Sequence, residues 1–500
     1  MPAFDPEASC ETAVVDIGSN SVRLVVYRLE GRAIWTVFNE KVLAGLGRGL
    51  NQTGRLSRDG VRDALIALRR FKAVLDAAQP DSVHVVATAA VRDAQDGPEF
   101  AARVQQETGL QVRVLSGAEE GYFSALGVLA GDPEATGVAG DLGGSSLELA
   151  RIDGGGPADA VTLPLGPFSL GAPKAFDAAR LQAAVQATLS PVAPRFRATE
   201  FHAVGGAWRA MALIHMAVSD HPLRIVQQHQ ISASEALDVA RFVAKQSRGS
   251  LERIPGVAKK RAETLPYAAA VLEALVEQLG FQRLIISAYG LREGLLFAAM
   301  PPAARDRDPL VQGCAALGAR QGAAEGLGAA LAQWLRPAFL ELAREFPDGR
   351  EAVLIEAACR LADVGARLHP DHRADLAFAE VLRAPIAGQT HAERAFLASA
   401  VHARYGGPPL PPERGVVERL LTEDRRTRAR ALGLAMRLGC DLSGRSPALL
   451  RDSRLAIRDG KLIVTARPVS ADMLLGEQTA KRAGALAAAL GLELDMHEEA

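Results

Sequence analysis

The chain has 500 residues, 48% hydrophobic and 23% charged, with a formal net charge of -1. That length exceeds what one hydrophobic core spans and predicts two to four domains. The ordinary composition excludes a disordered chain, and the balanced charge excludes a surface that is basic throughout, so any anion site must be local.

Four widely separated cysteines, Cys10, Cys314, Cys359 and Cys440, form no CxxC pair and predict neither a zinc site nor a disulfide framework. The segment Met1 to Glu7 lacks the basic start and apolar run of a secretion signal, and no long uncharged apolar stretch follows. A cytoplasmic protein without a membrane anchor is expected.

Thr12 to Ile17 reads as an apolar strand running into Asp16-Ile17-Gly18-Ser19-Asn20-Ser21, with Val22 to Tyr27 as the returning strand. Ser57 caps a helix that carries Val61, Leu65, Leu68, Val74 and Leu75 at helical spacing and ends at Pro80. A strand from Val83 to Thr88 leads into the turn Ala89-Ala90-Val91-Arg92-Asp93. Pro98 opens a further helix, Gly109 stops it, and Val112 to Leu115 is a short strand. Ser116-Gly117-Ala118-Glu119-Glu120 then starts a helix with two carboxylates in its first turn. Acidic residues there favour the helix dipole by up to about 1 kcal/mol, so pattern alone assigns neither glutamate a chemical role.

The next stretch organises the chain. Gly140-Asp141-Leu142-Gly143-Gly144-Ser145-Ser146-Leu147-Glu148 lies between apolar strands and reads as a hairpin whose tip carries glycines, hydroxyls and flanking carboxylates. Glycines admit an anion close to the backbone, and tip amides can donate to phosphate oxygens. Set against residues 13 to 21, the segment 138 to 146 repeats Asp, Gly and small hydroxyl residues at the same offsets, which implies two related halves. Strand and helix alternate through both, as in an α/β protein.

Downstream, a helix around Leu181 to Leu189 precedes Phe201 to Arg209, a strand-to-helix turn whose Gly205-Gly206 pair fits either backbone approach to a ligand or close helix packing. Amphipathic helices are expected from about Ser232 to Lys245 and from Ala258 to Leu279. Arg283 to Ser287 is a strand entering Gly290-Leu291-Arg292-Glu293-Gly294. Prolines and alternating charge predict a linker from Met300 to Pro309, followed by an almost wholly helical region from about Gly313 to Leu438. Arg454 to Val464 reads as a hairpin turning at Asp459-Gly460, and a last helix runs from about Gly476 to Leu490. No GxxxxGK[ST] segment is present, so a P-loop mechanism is not available.

The two hairpins, the Arg92 turn, Gly205-Gly206 and Gly290 to Gly294, in that order, resemble the actin/Hsp70/sugar-kinase superfamily. More narrowly they are similar to the exopolyphosphatase and guanosine pentaphosphate phosphohydrolase family, over about Thr12 to Ala299. The resemblance implies two actin-like (ribonuclease H-like) α/β domains, residues 1–132 and 133–300, flanking a cleft. It also implies a mostly α-helical HD-like domain at 301–445 and a small α+β module at 446–500. Glu120 matches the residue that orients or deprotonates water, and Arg92 the arginine that holds a phosphoryl group. Asp141 and Glu148, with Asp16 nearby, match the metal carboxylates, while Gly18, Ser19, Asn20, Ser21, Gly143, Gly144, Ser145 and Ser146 match the phosphate loops. The chain departs from the family at Ser145, Leu147 and Ala207.

The implied cofactor is magnesium, with a monovalent cation as accessory. The implied substrates are inorganic polyphosphate or guanosine polyphosphates, without nucleic acid or membrane, on a homodimer. Terminal orthophosphate hydrolysis from polyphosphate is the leading expectation. Guanosine pentaphosphate hydrolysis, a sugar kinase or actin-like ATPase, and a non-catalytic sensor are the alternatives. In the helical region Ala362-Asp363, with His369, His372 and His402, resembles a degenerate HD-type metal site that has lost its first histidine. An arginine run from Arg414 to Arg437 fits either a polyanion guide or a solvated helix face.

Overall fold

The computed structural model describes residues 9–172, 177–347 and 349–499, and the backbone but not the side chain of Lys260. The segment read above for targeting lies outside these. The chain divides into two compact units, Met1–Asp306 and Arg307–Ala500.

The first unit holds two sheets of one topology. The first sheet comprises β1 (Ser9–Ile17), β2 (Val22–Glu30), β3 (Ala33–Val42), β4 (Ser82–Ala87) and β5 (Arg113–Val114), in the order β3-β2-β1-β4-β5. The second comprises β6 (Gly137–Leu142), β7 (Leu147–Asp153), β8 (Gly156–Leu163), β9 (Glu200–Val204), β10 (Gln230–Ser232) and β11 (Arg283–Ser287), in the order β8-β7-β6-β9-β11-β10. Three antiparallel strands followed by parallel partners appear in both, so β6 is the counterpart of β1. The third strand of each meander, β3 and β8, is absent from the sequence reading: only Ala33 to Trp35 in β3 and Leu163 in β8 are buried, and polar residues such as Asn39, Glu40, Lys41 and Asp159 interrupt the apolar run of these edge strands.

The central strand of the first sheet is apolar on both faces, with Ala13, Val14, Val15 and Ile17 all fully buried. Helices cover both sides, α1 (Arg58–Ala78) and α2 (Gly97–Thr108) on one and α3 (Gly117–Gly131) on the other. Ser57 caps α1 by accepting from the Gly60 amide at 3.3 Å. In the second half α4 (Gly206–Val218) and α5 (Leu265–Leu279) pack on β9 and its neighbours. The helix expected from Ala258 begins only at Leu265. Thr264 precedes Pro266 in the first turn, and the segment before it is a 3-10 turn at Lys259–Arg261 that carries Arg261 inward.

Near the end of the unit, α6 (Leu291–Ala299) lies against α3 with the backbones in contact: a Cβ on Gly294 would overlap the Phe123 carbonyl, and one on Gly127 the Gly290 carbonyl. The closing glycine of the Gly290 to Gly294 motif is therefore a packing residue. Where a linker is predicted, Pro302–Arg305 forms a short helix with its proline in the first turn, a position that needs no amide donor.

The second unit is helical, with α7 (His391–Arg404) and α8 (Glu423–Leu442) at its core and α9 (Glu477–Leu490) alongside. The hairpin β12 (Ser453–Arg458) and β13 (Lys461–Ala466) turns at Asp459 and Gly460, whose φ values of 50° and 74° are those of a primed turn. It is completed by a parallel third strand, β14 (Glu493–Glu498), which the polar sequence does not announce. Among the described residues no helix is long and apolar enough to cross a membrane.

Candidate active site

The two hairpins matched in sequence fold into the same turn. The Gly18 amide donates to the Ser21 carbonyl at 3.0 Å, and the Gly143 amide to the Ser146 carbonyl at 2.9 Å. The tips face one another closely enough that a Cβ on Gly144 would lie 3.1 Å from the Cβ of Ser19. Among the described residues the amides of Ser19, Asn20, Gly144 and Ser145 donate to no backbone carbonyl. Paired tips with open amides form an anion cradle.

Four carboxylates converge beneath it. Asp16 is the penultimate residue of β1, and Asp141 occupies the equivalent place in β6. Glu148 is directly opposite Asp141 across the β6–β7 ladder, so both side chains leave the same face. Glu120 comes from the first turn of α3, set apart from Glu119 by the helix cap. Ser116 accepts from the Glu119 amide while the Glu119 carboxylate accepts from the Ser116 amide at 2.8 Å. Glu119 thus closes a capping box, while its neighbour is turned inward and is 7% exposed.

Their electrostatics follow from that crowding. Burial first, then repulsion from Asp141, raises Glu120 to about 7, against the opposing pull of Arg92, whose Nη1 lies 3.0 Å from Glu120 Oε2. Glu148 is pushed well above the carboxylate range by burial and by Glu120, against a weaker pull from the nearby Ser146 hydroxyl, and among the described residues neither of its oxygens has a partner at hydrogen-bond geometry. Asp141 is also raised by burial, although its Oδ2 accepts from Ser124 Oγ at 2.5 Å. Two orphaned buried oxygens among three further carboxylates fit a bound cation. Among the described residues, Asp16, Asp141 and Glu148 do not each bring an oxygen within 4.8 Å of the others. These carboxylates could therefore hold an ion only with further ligands from water or substrate, not as a closed cage.

The opposite wall is cationic, and this the sequence reading missed. A cleft of about 200 Å³ is lined by Asp16, Glu120, Asp141 and the tips, together with Arg23, Lys41, Arg209, Arg261 and Arg292. Arg23 and Lys41 are cross-strand neighbours on β2 and β3, like charges directly opposite one another. Arg23 is lowered to about 10 by burial and then by Arg292 and Arg209. Lys41, at the more exposed rim, is lowered to about 8 by loss of hydration and then by Arg261, Arg23 and Arg292. Arg292 donates to Asp16 at 3.1 Å and so ties α6 to β1.

The Gly205-Gly206 pair owes its composition to neither reading alone. Gly205 has φ 112°, a region that side chains rarely adopt, and a Cβ on Gly206 would overlap the Arg261 guanidinium. One signal for this wall was available: Arg209 and Arg292 each fall in the first helical turn after a glycine at the end of a parallel strand.

Asp16, Gly18, Ser19, Asn20, Ser21, Glu120, Asp141, Gly143, Gly144 and Ser146 thus share one cleft. Ser145 and Arg92 do not line it. They face a second cavity with Ser146, and Arg92 is occupied by Glu120, Asp93 and the Leu115 carbonyl. Glu148 is buried beside Asp141 and lines neither space.

In the second unit, Asp363 is 2% exposed and accepts from Arg445 at 2.7 Å, with Arg404 at 3.8 Å. Guanidinium groups supply the charge that a metal would, and His369 and His372 are exposed. His402 pairs instead with Asp375 at 3.2 Å. Much of the arginine run is framework: Arg425 lies over Phe346 and donates to the Glu345 carbonyl, Arg428 pairs with Glu351, and Arg414 pairs with Glu418. Arg426 and Arg430 line a cavity of about 220 Å³ with His402.

Comparison with known proteins agrees with this geometry. Residues 25–303 match the model of the Ppx/GppA phosphatase family, and residues 331–496 match that of the exopolyphosphatase C-terminal domain. A structure of the Aquifex aeolicus member of the family is 25% identical, covers 58% of this chain and 97% of its own, and superposes with a TM-score of 0.51. An exopolyphosphatase from Cytophaga hutchinsonii is 22% identical over 58% of this chain and 97% of its own, with a TM-score of 0.54. The paired sheets are the actin-like fold of these proteins.

Proposed function

Because this chain belongs to the Ppx/GppA phosphatase family, we propose that it is an exopolyphosphatase, removing terminal orthophosphate from inorganic polyphosphate by attack of water. The observation that carries this reading is the row of five cations on a cleft whose other wall is carboxylate and open amide. Arg23 and Lys41 repel one another and their neighbours in the empty cleft, a cost that a ligand charged at every repeat relieves along its length.

The terminal phosphoryl group sits between the tips, where amides of Ser19, Asn20 and Gly144 donate to its oxygens. Glu120 takes a proton from water as the water oxygen bonds to phosphorus and the bridging phosphorus–oxygen bond breaks. The bridging oxygen stays on the shortened chain. Asp141 and Glu148, with Asp16, are the residues that would hold magnesium, which would supply charge neutralisation for the phosphate oxygens. Assembly as a homodimer belongs to the same proposal.

Guanosine pentaphosphate hydrolysis would use the same carboxylates. What favours polyphosphate is the lining: its single ring is Phe168, which is 9% exposed and offers little face to a guanine. Phosphate release from long polyphosphate and from guanosine pentaphosphate, measured side by side with magnesium, decides between them. A kcat/KM at least about tenfold higher on polyphosphate is expected, with a KM that climbs steeply with salt. The reverse order selects the nucleotide, and release from neither sinks the hydrolytic reading.

A further inference from the structure

The cleft has a second space behind it. A cavity of about 420 Å³, open to solvent, is lined by Arg92, Gly117, Ala118, Ser145, Ser146 and Thr162, among others. Ser146 belongs to both spaces, and Arg92, which lines the rear one, holds Glu120, which lines the front one, at 3.0 Å. A single layer of side chains therefore separates them.

The rear space is built for a small anion. Among the described residues, Ser145 Oγ and Thr162 Oγ1 are both buried without a hydrogen-bond partner. Thr162 is directly opposite Glu148 on the β7–β8 ladder, so Asp141, Glu148 and Thr162 form one row that runs from the cleft to the rear. Gly117 at the start of α3 closes over that row, since a Cβ there would overlap Thr162 Oγ1. Two hydroxyl donors and a guanidinium are the groups that receive a phosphate.

We propose that this rear cavity is the exit for orthophosphate, an inference that rests on the polyphosphatase reading. A polymer in the front cleft blocks the way that the cleaved group came in, so product must either wait for the chain to withdraw or leave from the other side. Cleavage opens the rear path. Once Glu120 has taken the proton from water, its pair with Arg92 loses the ionic attraction, and the guanidinium, still held at the rear cavity by Asp93 and the Leu115 carbonyl, has charge to offer the phosphate beside it. Ser145 and Thr162 then accept the anion from Arg92.

The test is Ala118→Trp, which fills the mouth of the cavity from an exposed position, with Ala118→Ser as control and Thr162→Val to remove a hydroxyl at constant shape. In the full-length protein, quenched-flow sampling reads cleavage of the first bond, and a fluorescent phosphate sensor reads free orthophosphate. Ala118→Trp is expected to cleave at the wild-type rate but to release phosphate with a lag, lowering steady-state turnover on long polyphosphate about tenfold or more. Thr162→Val should show a smaller lag of the same kind. On tripolyphosphate, whose pyrophosphate remainder clears the front cleft, the deficit should largely vanish. A lag-free Ala118→Trp, or equal slowing on both substrates, overturns the exit. Absence of any cleavage by the wild-type protein overturns the hydrolytic reading itself, and the exit with it.

Discussion

The pH profile of kcat/KM is the sharpest check on the site, because two groups of opposite kind titrate near neutrality for stated reasons. Glu120 sits at about 7 rather than its ordinary 4.5, which makes its ionised form roughly 3 kcal/mol less favourable in the cleft than in water. As a base it must be ionised, so about a tenth of the free enzyme is competent at pH 6, half at pH 7 and about nine-tenths at pH 8. Lys41, at about 8, contributes binding charge only while protonated. The free enzyme should therefore give a narrow bell, rising through pH 7 and falling above pH 8. Polyphosphate restores the charge on Lys41, so kcat should keep the rising limb and lose the falling one.

Glu120→Gln should cost about 10²–10⁴-fold in kcat and abolish the rising limb. Lys41→Arg should retain activity and move the falling limb out of range. The assay is initial phosphate release from long polyphosphate between pH 5.5 and 9.5 at fixed ionic strength. A rising limb that persists in Glu120→Gln, or a loss below tenfold, would refute the assignment of the base.

Three further outcomes follow from the geometry. Glu148→Gln removes a buried acid without partners, so the metal-free protein should melt several degrees higher while hydrolysis falls by more than about 100-fold. Because the folded pKa of Glu148 lies above its unfolded one, the wild type loses stability as pH rises above about 4.5, and the gain from Gln should widen from pH 5 to pH 8 in thermal melts. Gly206→Ala displaces the flexible end of Arg261, so KM for polyphosphate should rise about tenfold with kcat and melting temperature nearly unchanged; an unchanged KM removes Arg261 from the substrate site. Arg445→Ala leaves Asp363 buried beside Arg404 alone, and after allowance for the partial exposure of Arg445 should destabilise the second unit by about 2 kcal/mol. Asp363→Asn in the same chain should recover most of that loss in denaturant melts.

The sequence by itself determined the duplicated architecture. A strand, an aspartate, a glycine turn and a returning strand are local events, decided by apolar runs and by the residues that a tight turn tolerates. Both copies are therefore legible at residues 13 to 21 and 138 to 146, and they fold to the same Gly18–Ser21 and Gly143–Ser146 closure. Local pattern could also place two glutamates at a helix start, but it could not say which turns inward, because that is set by the capping box at Ser116 and by the packing of α3 on β7 and β8.

The cationic wall is the work of tertiary structure alone. Arg23, Lys41, Arg209, Arg261 and Arg292 are scattered over 270 positions, and each looks alone like a solvated arginine or lysine. They become one site only because cross-strand pairing sets Arg23 beside Lys41, and the helix-start turns of the second half point Arg209 and Arg292 at them. The same long-range packing sets Arg92 and Ser145 on the neighbouring cavity, with Arg92 still bonded to Glu120 of the cleft. Charge repulsion is the physical reason the sequence is silent here: nothing local favours five cations together, and only a fold that supports them elsewhere can hold them for a polyanion.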